Sequence, residues 1–304
     1  MRTILYVQPR TGFCSRLLVL NEAYQVAKEC GARLVIIWKQ TGDCNCDYYD
    51  AFSKKQFRDI VCRVHQTFEV RDFIGRQKDA AHNREWAEYW KNILMIRNWI
   101  YSAIMLRVYR KKKNQFFPYD KRDRKCQAQD YENIKRCLKS GKSCYCMAYE
   151  GLSGYEAEGF YDLSAIRFSE ASVKEAEAIV QNQPYVGVHI RRTDHVVAIA
   201  NSHTEDFVNR MKQEIEKDSQ VQFFLATDDS KEEERMLQLF GDKIFVQKDR
   251  DLRRSSKKGM HNSIIDCLCL SRAQYILGSQ RSIFSKVSAE LNKIPLYIVN
   301  GQNQ

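Results

Sequence analysis

Proline is scarce in this sequence, and no low-complexity run is visible. Four prolines among 304 residues leave no proline-rich segment that could act as a rigid linker. The first apolar run is short and is broken by Gln8 and Pro9, which makes it too brief for the apolar region of a secretory signal. We expect a first β-strand there and a cytoplasmic protein, with a domain boundary between residues 158 and 183.

Cysteine is not scarce, but its spacing lacks the pattern of a metal site. None of the Cys-x-Cys pairs has the two-residue spacing and matching second pair of structural zinc sites; the pairs are Cys44/Cys46, Cys144/Cys146 and Cys267/Cys269. The count of eleven is odd, and with no export signal it favours reduced thiols over disulfides. We therefore expect no bound metal.

The composition is that of a folded, basic protein. Hydrophobic residues make up 44% and charged residues 29% of the chain, which excludes a largely disordered protein. Because 304 residues exceed the size at which one core usually stops growing, we predict two domains, at residues 1–165 and 166–304. The net charge of +11 predicts an anionic partner: a nucleic acid, a membrane surface or a phosphorylated small molecule.

Strands and helices alternate through the C-terminal half. Apolar and β-branched runs predict strands at 185–190, 222–226, 243–247, 274–278 and 295–299, and helical periodicity predicts helices at 205–217, 231–240, 263–272 and 282–292. This alternation predicts a parallel sheet covered on both faces, with ligands bound beyond the carboxyl ends of its strands. The N-terminal third begins with the same alternation of strands and helices. We interpret residues 70–150 as a helical elaboration of the first domain.

The strongest polar segment is His189–Asp194, which ends a predicted buried strand in an imidazole, two guanidiniums and a carboxylate. Neighbouring residues of an extended chain point to opposite sides. One of Arg191 and Arg192 can therefore pair with Asp194 while the other binds a phosphate. An exposed strand end with a surface ion pair is the alternative interpretation.

Three further segments follow predicted strands. In residues 226–229, Asp228 could accept hydrogen bonds from guanine, although an ordinary helix N-cap explains the same residues. Ser282 begins a predicted helix whose first backbone N–H groups favour anions. The turn at residues 9–16 contains a single glycine, Gly12, and so lacks the spacing of a dinucleotide-binding fingerprint.

In this order and spacing, the four segments resemble the fucosyltransferase superfamily, which includes the α-1,6-, α-1,2- and protein O-fucosyltransferases and the nodulation fucosyltransferase. The three C-terminal motifs of the family resemble residues 189–194, 226–229 and 266–285. Its N-terminal segment resembles residues 12–17, where Ser15 replaces the more usual amide residue. The resemblance implies an α/β fold of the GT-B type, in which two Rossmann-like domains face a cleft, with a helical elaboration in the N-terminal domain.

The resemblance also implies an inverting, metal-independent transfer of L-fucose from GDP-β-L-fucose to a glycan hydroxyl, with no cofactor besides the GDP-sugar co-substrate. Arg192 would hold the β-phosphate, with Arg191 and Asp194 as its catalytic neighbours. His189 and Asp228 would contact the guanosine and Ser282 the diphosphate. The full set of donor-binding residues implied in this way is His189, Arg192, Asp228, Asp229, Ser279, Ser282, Gly12 and Phe13.

Two points of this chemistry stay open at the level of sequence. The motifs indicate GDP more clearly than fucose, so another donor such as GDP-mannose is an alternative. The general base that assists the acceptor hydroxyl could be Asp194, His195, Glu205 or a residue of the N-terminal domain. No carboxylate lies in residues 195–200, where some relatives have a glutamate.

A stretch outside these segments is amphipathic and then strongly basic. Residues 93–106 are mostly apolar with Arg97 among them, and Arg107, Arg110 and Lys111–Lys113 follow. This combination suits an interfacial helix on anionic lipid, for which a lipid-linked oligosaccharide or bacterial surface-polysaccharide precursor would be a sensible acceptor. A buried helix with a solvated basic end is equally compatible.

The same basic stretch permits a different class of function. Together with Lys121, Arg122, Arg124, Lys125 and nearby aromatic residues, these cations would suit binding of single-stranded nucleic acid. We prefer the enzyme and expect no nucleic-acid partner.

Overall fold

The computed structural model describes residues 2–68, 86–118, 126–152, 162–181 and 183–301, with main chain only for 86–92 and 126–129. Its internal contacts divide the chain into two compact units, Met1–Gly159 with Ala165–Arg167, and Phe160–Ser164 with Phe168–Gln304. Each unit contains a five-stranded sheet whose strands are all parallel. The predicted α/β class with two Rossmann-like domains is confirmed.

The sheet of the first unit has the strand order β3-β2-β1-β5-β4. Its strands are β1 Ile4–Pro9, β2 Arg33–Gln40, β3 Cys62–Phe68, β4 Phe116–Phe117 and β5 Cys144–Ala148. Its helices are α1 Phe13–Glu29, α2 Tyr48–Ala51, α3 Trp86–Arg110 and α4 Cys126–Lys139. One face of the sheet packs against α3 through a cluster that contains Tyr6, Ile37, Tyr109 and Tyr145.

The structure differs from the expectation for residues 70–150 at β5. This strand lies beside β1 in the middle of the sheet, with Leu5 to Pro9 paired to Cys144 to Ala148. Its sequence, Cys-Tyr-Cys-Met-Ala, contains no β-branched residue, yet Cys144, Tyr145 and Cys146 are buried and the two thiols pack as small hydrophobic groups. Every cysteine whose side chain is described is a free thiol.

The second unit follows the predicted alternation. Its strands are β6 Val186–Ile190, β7 Phe223–Thr227, β8 Ile244–Phe245, β9 Ile276–Ser279 and β10 Leu296–Val299. Its helices are α5 Glu170–Val180, α6 Val196–Asn201, α7 Thr204–Lys217, α8 Ser230–Phe240, α9 Lys257–Ser271 and α10 Ile283–Leu291. We did not predict α5 or α6. Helix α9 begins six residues earlier than expected because Ser256 caps it, its Oγ accepting a hydrogen bond from the Gly259 N–H at 2.8 Å.

The strand order β10-β9-β6-β7-β8 creates a crevice at the carboxyl edge of the second sheet. Connections from β6 lead to β7 and β8 on one side, and β9 and β10 lie on the other, so the loops after β6 and β9 diverge. His189 pairs with Ala226 in β7 and with Gly278 in β9, which places the ends of these three strands at one level. The three C-terminal motif segments lie at this edge. Nowhere in the described ranges is a helix long and apolar enough to cross a membrane.

Candidate functional site

Hydrogen bonds join the loops after β6 and β9 at the crevice. Ser279, the last residue of β9, accepts a hydrogen bond from the Arg191 N–H at 3.0 Å and donates one to the His189 carbonyl at 3.2 Å. The Ser282 Oγ lies 3.4 Å from His189 Nδ1. The structure therefore brings four residues of the predicted site together: His189, Arg191, Ser279 and Ser282.

His189 is a buried and neutral member of this group. The residue is 4% exposed, its Nδ1 lies 2.7 Å from Ser285 Oγ, and its ring stacks on Phe284 at 4.8 Å between centroids. Burial, followed by the charge of Arg191, lowers the pKa of His189 to about 3. A neutral imidazole can exchange hydrogen bonds with a nucleoside but brings no charge to a phosphate. The predicted guanosine contact stays a prediction.

Asp228 shapes the loop that follows β6. Its Oδ1 accepts a hydrogen bond from the Arg192 N–H at 2.7 Å, and its Oδ2 accepts from the Thr193 N–H at 3.1 Å and from the Thr193 hydroxyl. The Arg191 guanidinium lies 2.7 Å from Oδ2. Burial alone would raise the pKa of Asp228, but the Arg191 charge and these hydrogen bonds lower it below its ordinary value. The Asp228 carboxylate thus organises the loop through these contacts; its guanine contact stays a prediction.

Arg191 is held between two carboxylates. One terminal nitrogen contacts Asp228 and the other contacts Asp194, so the expectation that one arginine would pair with Asp194 is confirmed. Asp194 also contacts the Arg254 guanidinium, which brings a third loop to the site. Burial would raise the pKa of Asp194, yet the charges of Arg191 and Arg254 lower it. Asp194 is therefore a weak base that positions two cations.

Arg192 turns into the protein. Its Nη1 donates to the carbonyls of Arg191 and Ser202 at 3.0 and 2.9 Å. Its Nη2 donates to Thr204 Oγ1 at 3.1 Å and lies 3.4 Å from a carboxylate oxygen of Glu232. A guanidinium has four terminal hydrogens, and all four have protein oxygens as partners here. This differs from the interpretation of Arg192 as the arginine that faces a phosphate.

Two other predicted residues cap helices. Asp229 caps α8, its Oδ1 accepting hydrogen bonds from the N–H groups of Lys231 and Glu232 at 2.8 and 3.2 Å. Ser282 caps α10, with the Ser285 N–H 3.4 Å from its hydroxyl. The capping role accounts for Asp229 without a ligand. Ser282 places the N-terminus of α10 at the crevice, where the first backbone N–H groups attract negative charge.

Several residues at the site carry no clear sequence signal. Glu232 lies three positions after Asp229, the N-cap residue of α8. This spacing predicts a capping role, whereas the structure shows an ion pair between Glu232 and Arg192. Nothing in the basic run around Arg254 distinguishes it from its neighbours. Ser285 could have been found, because its spacing from Ser282 places both hydroxyls in the first turn of one helix.

The residues predicted from the first unit lie at the carboxyl edge of its own sheet. Gly12 is the N-cap of α1 and Phe13 is buried. Arg16, which is 1% exposed, fixes the loop before α1: its Nε donates to the Thr11 carbonyl at 2.7 Å and its Nη1 to the Lys39 carbonyl at 2.6 Å. Donor binding by Gly12 and Phe13 stays a prediction.

No protein-family model and no curated protein matches this sequence, but solved structures do match. The chain is similar to the NodZ α-1,6-fucosyltransferase co-crystallised with GDP, at a TM-score of 0.53 and 16% identity, covering 95% of this chain and 92% of that one. It is also similar to POFUT1 in complex with GDP-fucose, at a TM-score of 0.57 and 11% identity, covering 97% and 98%. A third match is the fucosyltransferase NodZ from Bradyrhizobium, at 0.53 and 16% identity, covering 95% and 93%. At these identities the likeness shows the fold, and the predicted GT-B class is confirmed.

Proposed function

We propose that the protein is a glycosyltransferase that moves L-fucose from GDP-fucose to a glycan hydroxyl. The proposal is carried by one observation: Arg191 is tied by its main chain to the end of β9 and by its guanidinium to two carboxylates, at the crevice of the second sheet. Two fucosyltransferases with GDP or GDP-fucose in their structures share this fold over nearly the whole chain.

We assign the diphosphate contact to Arg191 and not to Arg192, reversing the assignment made from sequence. All four terminal hydrogens of Arg192 point at protein oxygens. Arg191 gives one terminal nitrogen to each of two carboxylates. Among the contacts within the described residues, this leaves one hydrogen on each nitrogen and the Nε–H for the paired oxygens of a phosphate.

The chemical role of Arg191 follows from the charge that develops during transfer. As the bond between the anomeric carbon and the β-phosphate breaks, negative charge accumulates on GDP. A guanidinium that is already positioned stabilises this charge without reorganising. The transfer that we propose inverts the anomeric centre and relies on this guanidinium in place of a metal, with the N-terminus of α10 as a second source of positive potential.

None of the three residues considered as general base from the sequence has the surroundings of one. Asp194 contacts two guanidiniums and has a lowered pKa. The His195 Nδ1 accepts a hydrogen bond from the Ala198 N–H at 3.1 Å and caps α6. Glu205 pairs with Arg235. We therefore assign Asp194 a positioning role.

The test is a donor-turnover assay with GDP-fucose and with GDP-mannose, in the presence and absence of glycan acceptors. We expect GDP-fucose to be preferred and Arg191→Ala to lose about 10²–10³-fold in kcat, as for other preorganised charge stabilisers. Arg253→Ala is the matched control, since Arg253 is a 76% exposed arginine of the same unit. A preference for GDP-mannose would show that mannose, and not fucose, is the sugar transferred. Near-normal turnover by Arg191→Ala would contradict the assignment of the diphosphate contact to Arg191.

A second measurement separates the enzyme from a nucleic-acid-binding protein. We expect GDP to raise the unfolding temperature, because a ligand that binds only the folded state stabilises it. Salt-sensitive oligonucleotide binding without GDP stabilisation would favour the nucleic-acid alternative. Part of the basic run on which that alternative rests, Lys121, Arg122, Arg124 and Lys125, lies outside the described residues.

A further inference from the structure

Helix α3 of the first unit buries one face and exposes the opposite face. Met95, Ser102 and Tyr109 are buried, and Tyr109 belongs to the cluster that packs on the sheet. The other face carries large aliphatic side chains with high exposed fractions: Leu94 64%, Ile100 47%, Ile104 55% and Val108 40%. In the part of the chain that the structure describes, no other helix exposes as many large apolar residues.

The exposed aliphatic residues form a stripe. At 3.6 residues per turn, Ile100, Ile104 and Val108 follow one another at intervals of four residues and lie on the same side of the helix. Leaving such side chains in water forfeits the favourable free energy of burying their apolar surface. A stripe of this kind on an otherwise well-packed unit indicates a surface that is covered by something else.

Every charged residue between positions 93 and 117 is basic. Arg97 and Arg107 are exposed and fall on the same side of the helix as Ile104, at spacings of seven and three residues. The remaining cations, at the end of the helix and just after it, are exposed as well: Arg110, Lys111, Lys112 and Lys113. The aliphatic stripe is therefore bordered by positive charge along its length and at its end.

We infer that this face of α3 binds the surface of an anionic phospholipid membrane, with the helix lying in the plane of the interface. The aliphatic stripe enters the boundary between headgroups and acyl chains, and the cations contact the lipid phosphates. Because Met95 and Tyr109 remain in the core of the unit, the helix lies on the membrane and does not cross it. The inference does not depend on the proposed donor.

The aliphatic residues favour a lipid surface over a nucleic acid. Nucleic acids bind through phosphate contacts to cations and through stacking of bases on aromatic rings or guanidiniums. That mode would use Arg107 and Lys111–Lys113 but would leave Ile100 and Ile104 in water. A bilayer surface uses both groups. A buried helix with a solvated basic end, the alternative interpretation of this stretch, accounts for Met95 and Tyr109 but gives no reason for the exposure of these two isoleucines.

The test is co-sedimentation of the full chain with vesicles of phosphatidylcholine alone and of phosphatidylcholine mixed with phosphatidylglycerol. We expect binding to the mixed vesicles only. Replacing Lys111, Lys112 and Lys113 by Gln should lower the partition coefficient by about 100-fold, at about fivefold for each cation near the surface. Replacing Ile100 and Ile104 by Ser should lower it as well, with the circular dichroism spectrum unchanged.

The matched control removes the same charge elsewhere on the first unit. Lys54, Lys55 and Arg58 are exposed and lie outside α3, so their replacement by Gln should leave vesicle binding near the wild-type value. Equal loss in this control would show that net charge alone is responsible and would overturn the inference.

Three other results would overturn the inference. The first is the absence of binding to mixed vesicles. The second is oligonucleotide binding that requires the lysines and is indifferent to Ile100→Ser and Ile104→Ser. The third is a dimer that Ile104→Ser dissociates, which would show that a second copy covers the face. All variants should bind GDP as the wild type does, so a failure here is separate from a failure of the proposed function.

Discussion

Each unit has a five-stranded parallel sheet with its first strand at the centre, but the order of the last two strands differs between the units, and the carboxyl edges of the two sheets are built differently. In each unit the first strand is central, the next two lie on one side of it, and the last two lie on the other. At the edge of the second unit, charged side chains from three loops contact one another through Arg191, Asp194, Asp228 and Arg254. At the edge of the first unit, buried charged groups contact the main chain.

Arg16 and Glu22 show how buried charged groups contact the main chain at the carboxyl edge of the first unit's sheet. Arg16 binds the carbonyls of Thr11 and Lys39. The Glu22 carboxylate accepts a hydrogen bond from the Leu152 N–H after β5, and a Cβ on the neighbouring Gly151, which has φ +97°, would lie 2.9 Å from Glu22 Oε2. Such groups fix the shape of a loop.

The comparison teaches that a charged residue after a strand does not by itself mark a ligand site. Within the second unit, Arg192 and Asp228 also contact main-chain groups, as Arg16 and Glu22 do. Arg191 differs, because its guanidinium partners are the carboxylates Asp194 and Asp228, whose oxygens a phosphate can mimic. Among the described contacts the Arg191 guanidinium pairs with carboxylates alone, whereas Arg192 pairs with Glu232 and also with main-chain carbonyls. On this difference we propose Arg191 as the ligand-binding arginine.

The largest expected effect is on stability, from removal of the inward arginine. Arg192→Leu leaves Glu232, which is 8% exposed, without its cationic partner, and should lower the free energy of unfolding by about 3–5 kcal/mol. Urea unfolding followed by circular dichroism measures this loss. In the double variant Arg192→Leu with Glu232→Leu, stability should partly recover. A loss below about 1 kcal/mol would show that Arg192 does not hold its loop in place through buried contacts, as we infer for Arg16.

Arg16→Met tests the first unit. The carbonyls of Thr11 and Lys39 would lose their donors, which should lower the free energy of unfolding by about 2–3 kcal/mol. GDP affinity of the same variant tests separately whether the loop of Gly12 and Phe13 takes part in donor binding, as the sequence predicts. A large fall would support that role, whereas an affinity within about twofold of the wild type would limit the donor contacts to the second sheet and sharpen the comparison.

The pH dependence of stability tests the burial of His189. The unfolded chain binds a proton there near pH 6.5, whereas the folded pKa is lowered to about 3. The unfolded state therefore holds more protons between these values, and wild-type stability should fall as pH drops below 6.5, by up to about 1.4 kcal/mol per pH unit. His189→Gln lacks this contribution, so its curve between pH 7 and 5 should be flatter. Parallel curves would show that His189 titrates normally.

The smallest expected effect comes from an exposed arginine of the second unit. Arg253 pairs with Asp251 while remaining 76% exposed, and exposed pairs contribute little because water and salt screen them. Arg253→Ala should leave the unfolding midpoint and GDP affinity unchanged within error. A marked loss of GDP affinity would mean that general positive charge, and not the placement of Arg191, determines binding.

The sequence predicts the second unit better than the first for a physical reason. Its strands are mostly apolar runs, such as Phe223–Thr227, whose five residues are all buried. Four of them, β6, β7, β9 and β10, end at or just before a polar residue. Strand β5 was missed because cysteine and methionine give no β-branched signal, although they pack as hydrophobic residues. The position of the site at the strand ends could be predicted. The inward turn of Arg192 could not, because it depends on Glu232 in another helix.

Calorimetric titration of GDP into the wild type and Arg191→Ala tests the central claim most directly. We predict that the wild type binds GDP and that Arg191→Ala binds it at least about tenfold more weakly, as expected for loss of a charge-assisted contact, with the fold unchanged. A wild type that does not bind GDP, or an Arg191→Ala variant that binds it equally well, would contradict the assignment of the second sheet's carboxyl edge as the donor site.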